Sequence, residues 1–329
     1  PEKRVHPLLW RLAQEQPNLP VRVIIKKDRP ERAAQAILGQ EGAVKRELPM
    51  VGSFVTELPA RAVQSLANAP GVTWITLDAP MAAMSAPINV SNLSNVYIRS
   101  IGADRLWNTA PYLQGQGITV AVVDSGVTPW ADIKQNSSGA QRILGWTEKS
   151  ATPSNIPDDI NGHGTHVAGI IGGNGQMSQG KYIGVAPGVN LINVKVTDNE
   201  GRSYVSDVID GLQWVLANKN TYNIRVVNLS LNSTVSESYH TSPLSAAVEL
   251  LWFNGVVVVV AAGNNGSSGG PVPIYPPAND PFVITVGAAD DKGTLDLNDD
   301  IWATFAAFGQ TIDGYAKPDL VAPGRNIVS

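Results

Sequence analysis

Cysteine is absent from the 329 residues. That excludes disulfides, thiolate metal sites and a cysteine nucleophile, but it does not fix the compartment. Charge is sparse: 16% of residues are charged, and the net charge is −4. No dense Lys/Arg run occurs, so charge points to no nucleic-acid partner. Apolar runs are short. "VVVVVAA" (256–262) suits a buried strand and is far from membrane-spanning length, so no membrane partner is expected. The chain opens at Pro1 with neither Met nor a leader-like apolar segment, and a processed start is expected. Histidine is scarce too, with four in all. What is plentiful is apolar residues, at 43%, enough for a sizeable core and more than one domain.

Two textures divide the sequence. Residues 1–80 alternate short strands with amphipathic helices. Helices are predicted at 6–16, at 29–42 with Pro30 in the first turn and Gly42 at the end, and at 59–71. Strands are predicted at 21–27, at 43–58 as a pair around Pro49–Gly52, and at 72–78. After the first helix the order is β-α-β-β-α-β, a small α+β ferredoxin-like unit. Residues 79–96 carry no charge, two prolines and many small residues, a linker composition open to proteolysis.

From about residue 97, near-continuous apolar runs recur at 118–124, 189–196, 224–231, 255–263 and 282–289. Helical patterns lie between several of them, at 205–219 and 242–255. Such runs alternating with helices predict a doubly wound, mainly parallel α/β sheet covered on both faces. Sites in such sheets lie at the carboxyl ends of strands. That rule selects Asp124 and the segments "NLSLN" (228–232) and "AAGNNG" (261–266).

The segment "INGHGTHVAGIIGG" (160–173) holds two of the histidines, three apart. A helical zinc pair is usually four apart with a carboxylate nearby, and no cysteine is available here. One alternative is a helix start with a buried, hydrogen-bonded histidine. Another is a proton-transfer site, with His163 at a helix N-terminus between glycines that admit a substrate backbone, and His166 structural. A basic imidazole needs an orienting carboxylate, for which Asp124 is the natural candidate. Asp124 could equally be a cap or turn residue. Asn264 is either a turn former or an oxyanion donor.

"VAVVDSGV" (120–127), "NGHGTHVAGIIGG" (161–173), "GVAPGVNLINVKV" (184–196), "VVNLSL" (226–231), "VVVVAAGNNG" (257–266), "YPPANDPFVITVGA" (275–288) and "KPDLVAPG" (317–324) occur in this order. Together they resemble the subtilisin-like serine proteases, over about residues 97–329. The resemblance implies an endopeptidase using an Asp-His-Ser triad. Asp124 would orient the imidazole, His163 would be general base then acid, and Asn264 would donate to the oxyanion. Ser230-Leu231-Asn232 and Gly201-Arg202-Ser203 would pair with an extended substrate. Ala261, Ala262 and Gly263 would line the pocket for the residue before the scissile bond. Asn232, where the family often has Gly, and Ile274, where a small residue is usual, imply a shallow pocket for small or medium apolar side chains.

The family's nucleophile sits in a Gly-Thr-Ser segment, and no such segment occurs in these residues. Ser125 is expected to point away from the site, Ser230 lies on a binding edge, and "GSSGG" (266–270) reads as a loop. The serine is therefore expected beyond residue 329, on a C-terminal fragment. On that expectation the catalytic domain within residues 97–329 lacks its C-terminal, serine-bearing part. Calcium is common in the family, and Asp132 with the loop 173–182 matches a position that often ligates it. Residues 1–80 resemble the family's propeptide, an intramolecular inhibitor packing on two catalytic-domain helices. Residues 81–96 would be the processing linker, cut between Asp78 and Tyr97, and 97–329 the catalytic domain. Peptide or protein substrate, zymogen state and secretion follow from the same resemblance. A rival is a catalytically incomplete module that binds peptides or partners. A nucleotide-binding reading fails because "GIIGGNG" (169–175) follows a helix pattern instead of opening one after a strand.

Overall fold

A computed structural model describes residues 4–40, 42–78, 87–136, 139–266 and 270–329. The protein divides into two compact units, Pro1–Ala82 and Ala83–Ser329.

The first unit contains α1 (Pro7–Glu15), β1 (Pro20–Lys27), α2 (Pro30–Leu38), β2 (Ala43–Leu48), β3 (Ser53–Pro59), α3 (Ala62–Leu66) and β4 (Val72–Leu77). Its sheet is antiparallel in the order β2-β3-β1-β4. Alternation in β1 drives this arrangement. Val21, Val23 and Ile25 are buried and share one cluster with Leu9 of α1, Ala33 and Ile37 of α2, and Val63 and Leu66 of α3. Gly52 turns the β2–β3 connection at φ 57°. Two predicted helices come out shorter. α2 stops at Leu38, and the Gly42 N–H returns to the Ile37 carbonyl at 3.1 Å. α3 starts late because the Ala60 and Arg61 N–H groups bond to the Leu19 and Pro17 carbonyls instead.

The second unit opens with α4 (Val96–Ser100), α5 (Ala103–Asn108), β5 (Thr119–Asp124), α6 (Ala131–Lys134), β6 (Ile143–Glu148) and α7 (His163–Gly172). It continues with β7 (Asn190–Lys195), α8 (Val205–Asn218), β8 (Ile224–Leu229), α9 (Pro243–Phe253), β9 (Val257–Ala261) and β10 (Ile284–Asp290). Short strands close it: β11 (Ile301–Trp302), β12 (Gly309–Gln310), β13 (Ala316–Lys317) and β14 (Leu320–Pro323). The main sheet runs β11-β10-β9-β8-β5-β7-β6, with β14 also pairing with β10. Its pairs are parallel except β10 with β11.

β5 shows why the apolar runs are continuous. Ala121 and Val123 pack in a cluster with Val208, Leu212 and Val215 of α8 and Val248 of α9. Val120 and Val122 pack in another with Ile133 of α6 and Ala168 of α7. Successive residues point to opposite faces, and both faces are covered by helices. β6 escapes the apolar-run pattern because it is an edge strand whose residues alternate between part-buried and exposed over most of its length. β11 to β14 are too short to show a period. Because β5, β8 and β9 are parallel neighbours, their carboxyl ends lie along one edge. Asp124, Ser230–Asn232 and Ala261–Asn264 are all there.

Candidate active site

Asp124 is the last residue of β5 and only 1% exposed. His163 is the first residue of α7, and its Nδ1 lies 2.7 Å from Asp124 Oδ1. An ionised carboxylate only accepts, so Nδ1 is the protonated nitrogen. Nε2 has no hydrogen-bond partner among the described residues, and the side chain is 52% exposed. The hydrogen bond to Asp124 raises the His163 pKa above the ordinary 6.5. The charges of Asp124 and Asp159 add to the rise, against desolvation.

Glycines make this approach possible. A methyl on Gly164 would overlap the Gly126 carbonyl and press on the Asp124 side chain. Gly126 itself sits at φ 120°, and a Cβ there would come 2.9 Å from the Asp158 carbonyl. α7 begins from Gly162 at φ 92°, and Asp159 holds its first turn. Asp159 Oδ1 accepts from the Gly162 N–H (2.8 Å), and Oδ2 accepts from the Thr165 N–H and hydroxyl (both 2.8 Å). These are the orphan donors of a helix start. Thr128 ties this turn to the β5 loop, donating its N–H to Thr165 Oγ1 (2.9 Å) and accepting from the Asp159 N–H (3.1 Å). Farther back, buried Lys195 at the end of β7 donates to Ser154 Oγ, the Asp158 carbonyl and Asn199 Oδ1, holding the loop that leads to His163.

Ser125 corrects one expectation. Its hydroxyl turns toward Asp124, donating to Oδ1 at 3.2 Å and accepting from the Gly164 N–H at 2.9 Å. It is nonetheless buried and engaged, which leaves it a support for the pair. The supporting roles of Asp159 and Ser125 are what sequence reasoning missed. The available signal was an Asp three residues before Gly162 at a helix start.

The other expected residues fall as follows. Asn264 is exposed, and its side chain has no hydrogen-bond partner among the described residues. Ser230, Leu231 and Asn232 carry no backbone hydrogen bond among the described residues, so this edge is open. Gly201-Arg202-Ser203 is only partly open. The Arg202 N–H bonds to Asp198 Oδ1 (2.8 Å), and its carbonyl accepts from the Asp198 N–H (2.8 Å). Ala262 is buried, with Ala261 and Gly263 half-buried beside it. Asn232 Nδ2 donates to the Ala261 carbonyl at 3.0 Å, across the gap between the ends of β8 and β9. Ile274 is 2% exposed and shares a cluster with Ala262. His166 Nε2 faces the Ile327 carbonyl at 3.2 Å. Within "GSSGG", residues 267–269 lie outside the described residues, as do 79–86 of the expected processing region.

Asp132, the residue expected to ligate calcium, is engaged by the loop that follows α7 and by Arg142. Its Oδ1 accepts from the Met177 N–H (2.6 Å), and its carbonyl accepts from the Asn174 N–H (2.9 Å) and Arg142 Nη1 (3.1 Å). Among the described residues no group of three or more His, Cys, Asp or Glu could hold a metal ion.

Residues 115–329 match the family model described as the Subtilase family. The chain is 40% identical over 228 residues to Serine protease AprX of Bacillus subtilis (strain 168), covering 66% of this chain and 48% of that protein. It is 30% identical over 291 residues to Subtilisin NAT of Bacillus subtilis subsp. natto, covering 88% of this chain and 66% of that protein. Minor extracellular protease Epr of Bacillus subtilis (strain 168) is 27% identical over 305 residues, 90% of this chain and 41% of that protein. The chain thus spans about two fifths to two thirds of the length of these relatives. No described helix is long and apolar enough to cross a membrane.

Proposed function

Because the chain belongs to the subtilase family, we propose that it carries the aspartate and histidine of a subtilisin-like serine endopeptidase in proprotein form. The observation that supports this reading is the 2.7 Å Asp124–His163 pair at the carboxyl edge of the parallel sheet, with Nε2 left free. The nucleophilic serine comes from sequence beyond residue 329. Its Oγ attacks the scissile carbonyl carbon while its proton passes to His163 Nε2. Asp124 holds the tautomer and stabilises the imidazolium. The C–N bond then breaks, and Nε2 returns the proton to the leaving amine. Water repeats the sequence on the acyl-enzyme. Asn264, with its free amide, donates to the tetrahedral oxyanion.

The substrate adds as a strand along Ser230-Leu231-Asn232 and the open part of Gly201-Arg202-Ser203. Its residue before the scissile bond enters between those residues and Ala261-Ala262-Gly263. The Asn232–Ala261 bridge and buried Ile274 support a shallow pocket for small side chains. Residues 1–80 act as the inhibitory propeptide, 81–96 as the processing linker and 97–329 as part of the catalytic domain. Secretion accompanies this role.

The test is fluorophosphonate labelling and casein hydrolysis by the parent protein with its sequence beyond residue 329. Labelling of a serine there, with kcat reduced about 10⁴–10⁶-fold in His163→Ala, is expected. Hydrolysis unaffected by His163→Ala, or no labelling, overturns the reading.

A further inference from the structure

Arg142 immediately precedes β6 and is 1% exposed, although it carries a full charge. Its donors converge on main-chain oxygens from three separate segments. Nε donates to the Val189 carbonyl (2.9 Å), Nη1 to the Asp132 carbonyl (3.1 Å) and Nη2 to the Gly172 carbonyl (2.6 Å). Carbonyl oxygens gathered around one buried positive charge are what a hard cation requires. The site is shaped for the guanidinium. A Cβ on Gly172 would come 2.9 Å from Nη2, so the glycine leaves the room that the fork occupies. Gly172 is the last residue of α7, where unpaired carbonyls and the helix dipole favour a cation. Burial pulls the Arg142 pKa down to about 10, with the charge of Asp132 opposing, and the group stays protonated at neutral pH.

Most carbonyls of the adjoining loop, 173–182, are already engaged. The Gly175 carbonyl accepts from the Gly180 N–H, Gln176 from Gln179, Ser178 from Lys181, and Lys181 from Ser94. The Tyr182 carbonyl accepts from Ser178 Oγ, and Gly173 from the Gly184 N–H. The Met177 N–H occupies Asp132 Oδ1. A calcium ion wants six to eight oxygens. Here it would have to strip these bonds beside a fixed positive charge.

We propose that Arg142 is the resident cation of this region, taking the place of a structural calcium ion, so that the loop 173–182 and the end of α7 neither need nor take calcium. The planar fork reaches three carbonyls at fixed angles, which a lysine cannot do.

The experiment follows thermal unfolding of the full-length protein by circular dichroism, with EDTA and then with millimolar calcium chloride. It compares the wild type with Asp132→Asn, Arg142→Met and Arg142→Lys. Coincident wild-type melting curves in the two buffers are expected. Arg142→Met should melt well below wild type, unrescued by calcium, with new proteolytic cuts at 173–182 read by mass spectrometry. Should Arg142→Met fail to fold, Arg142→Lys keeps the charge without the fork, and lower melting with the same new cuts is expected. A calcium shift that survives in Asp132→Asn lies elsewhere in the protein and supports the assignment here. A calcium-dependent rise in wild-type Tm that Asp132→Asn abolishes overturns the proposal. Wild-type melting of the Arg142 variants does so too.

Discussion

Gly164 lies against Asp124 so closely that a methyl group on it would sit 3.2 Å from the carboxylate Oδ1 and overlap the Gly126 carbonyl. The Asp124–His163 pair therefore depends on a residue with no side chain one position after the histidine. Gly164→Ala must push α7 away from β5 or move the carboxylate. The expected cost is about 1–3 kcal/mol of stability, typical of overpacking. Urea unfolding measures it, and an NMR titration should show His163 returning toward its ordinary pKa. Unchanged stability with an unchanged titration would mean that the contact is slack.

The His163 pKa is raised in the folded protein, chiefly by the hydrogen bond to Asp124. A group whose folded pKa exceeds its unfolded value adds stability below the unfolded value, and that stability is lost as pH rises through the folded value. The pair should thus stabilise the fold most below about pH 6.5. In the parent protein, the acid limb of kcat/KM should lie above the same pH, because the base must be neutral. Asp124→Asn should lower the limb and reduce kcat about 10⁴-fold. Measuring kcat/KM against pH for both proteins tests this, and an acid limb below pH 6 in the wild type contradicts it.

Asp280 is fully buried, with Oδ2 lacking a partner among the described residues, and burial pushes its pKa up to about 6. Glu249 adds to the rise. Here the folded state holds the proton more tightly, so the penalty is absent below about pH 4, grows toward pH 6 and is constant above. Asp280→Asn keeps the acceptor for the Phe282 N–H (2.8 Å) and removes the charge. It should stabilise the protein by about 1–3 kcal/mol at pH 7 and by little at pH 4. Equal shifts at both pH values in chemical denaturation would refute this account.

Asn232 spans the gap between β8 and β9 through the Ala261 carbonyl. Asn232→Gly removes that bridge. In the parent protein it should raise kcat/KM for substrates with Leu or Phe before the scissile bond about 10-fold relative to Ala, a change of about 1.4 kcal/mol. Peptides differing only at that residue report it, and an unchanged Ala preference would shift the restriction to Ile274.

The local sequence determined the periodic elements. Continuous Val/Ile runs at β5, β7, β8, β9 and β10 announce strands buried on both faces, because burial alone sets that pattern. It also determined the chemistry available at the strand ends, including Asp124, Asn264 and a histidine framed by glycines. Edge strand β6 and the early end of α2 were not legible, since half-exposed alternation and a backbone return to Ile37 leave weak local signals. The sequence already pointed to His163 over His166; tertiary structure brings it to 2.7 Å from Asp124, 39 residues away in the chain. Tertiary structure alone decided that the Ser125 hydroxyl supports that pair, and that the Arg142 guanidinium gathers the carbonyls of Val189, Asp132 and Gly172. Each of these rests on side chains brought together from distant segments, where packing and the need to satisfy buried polar groups select the partner.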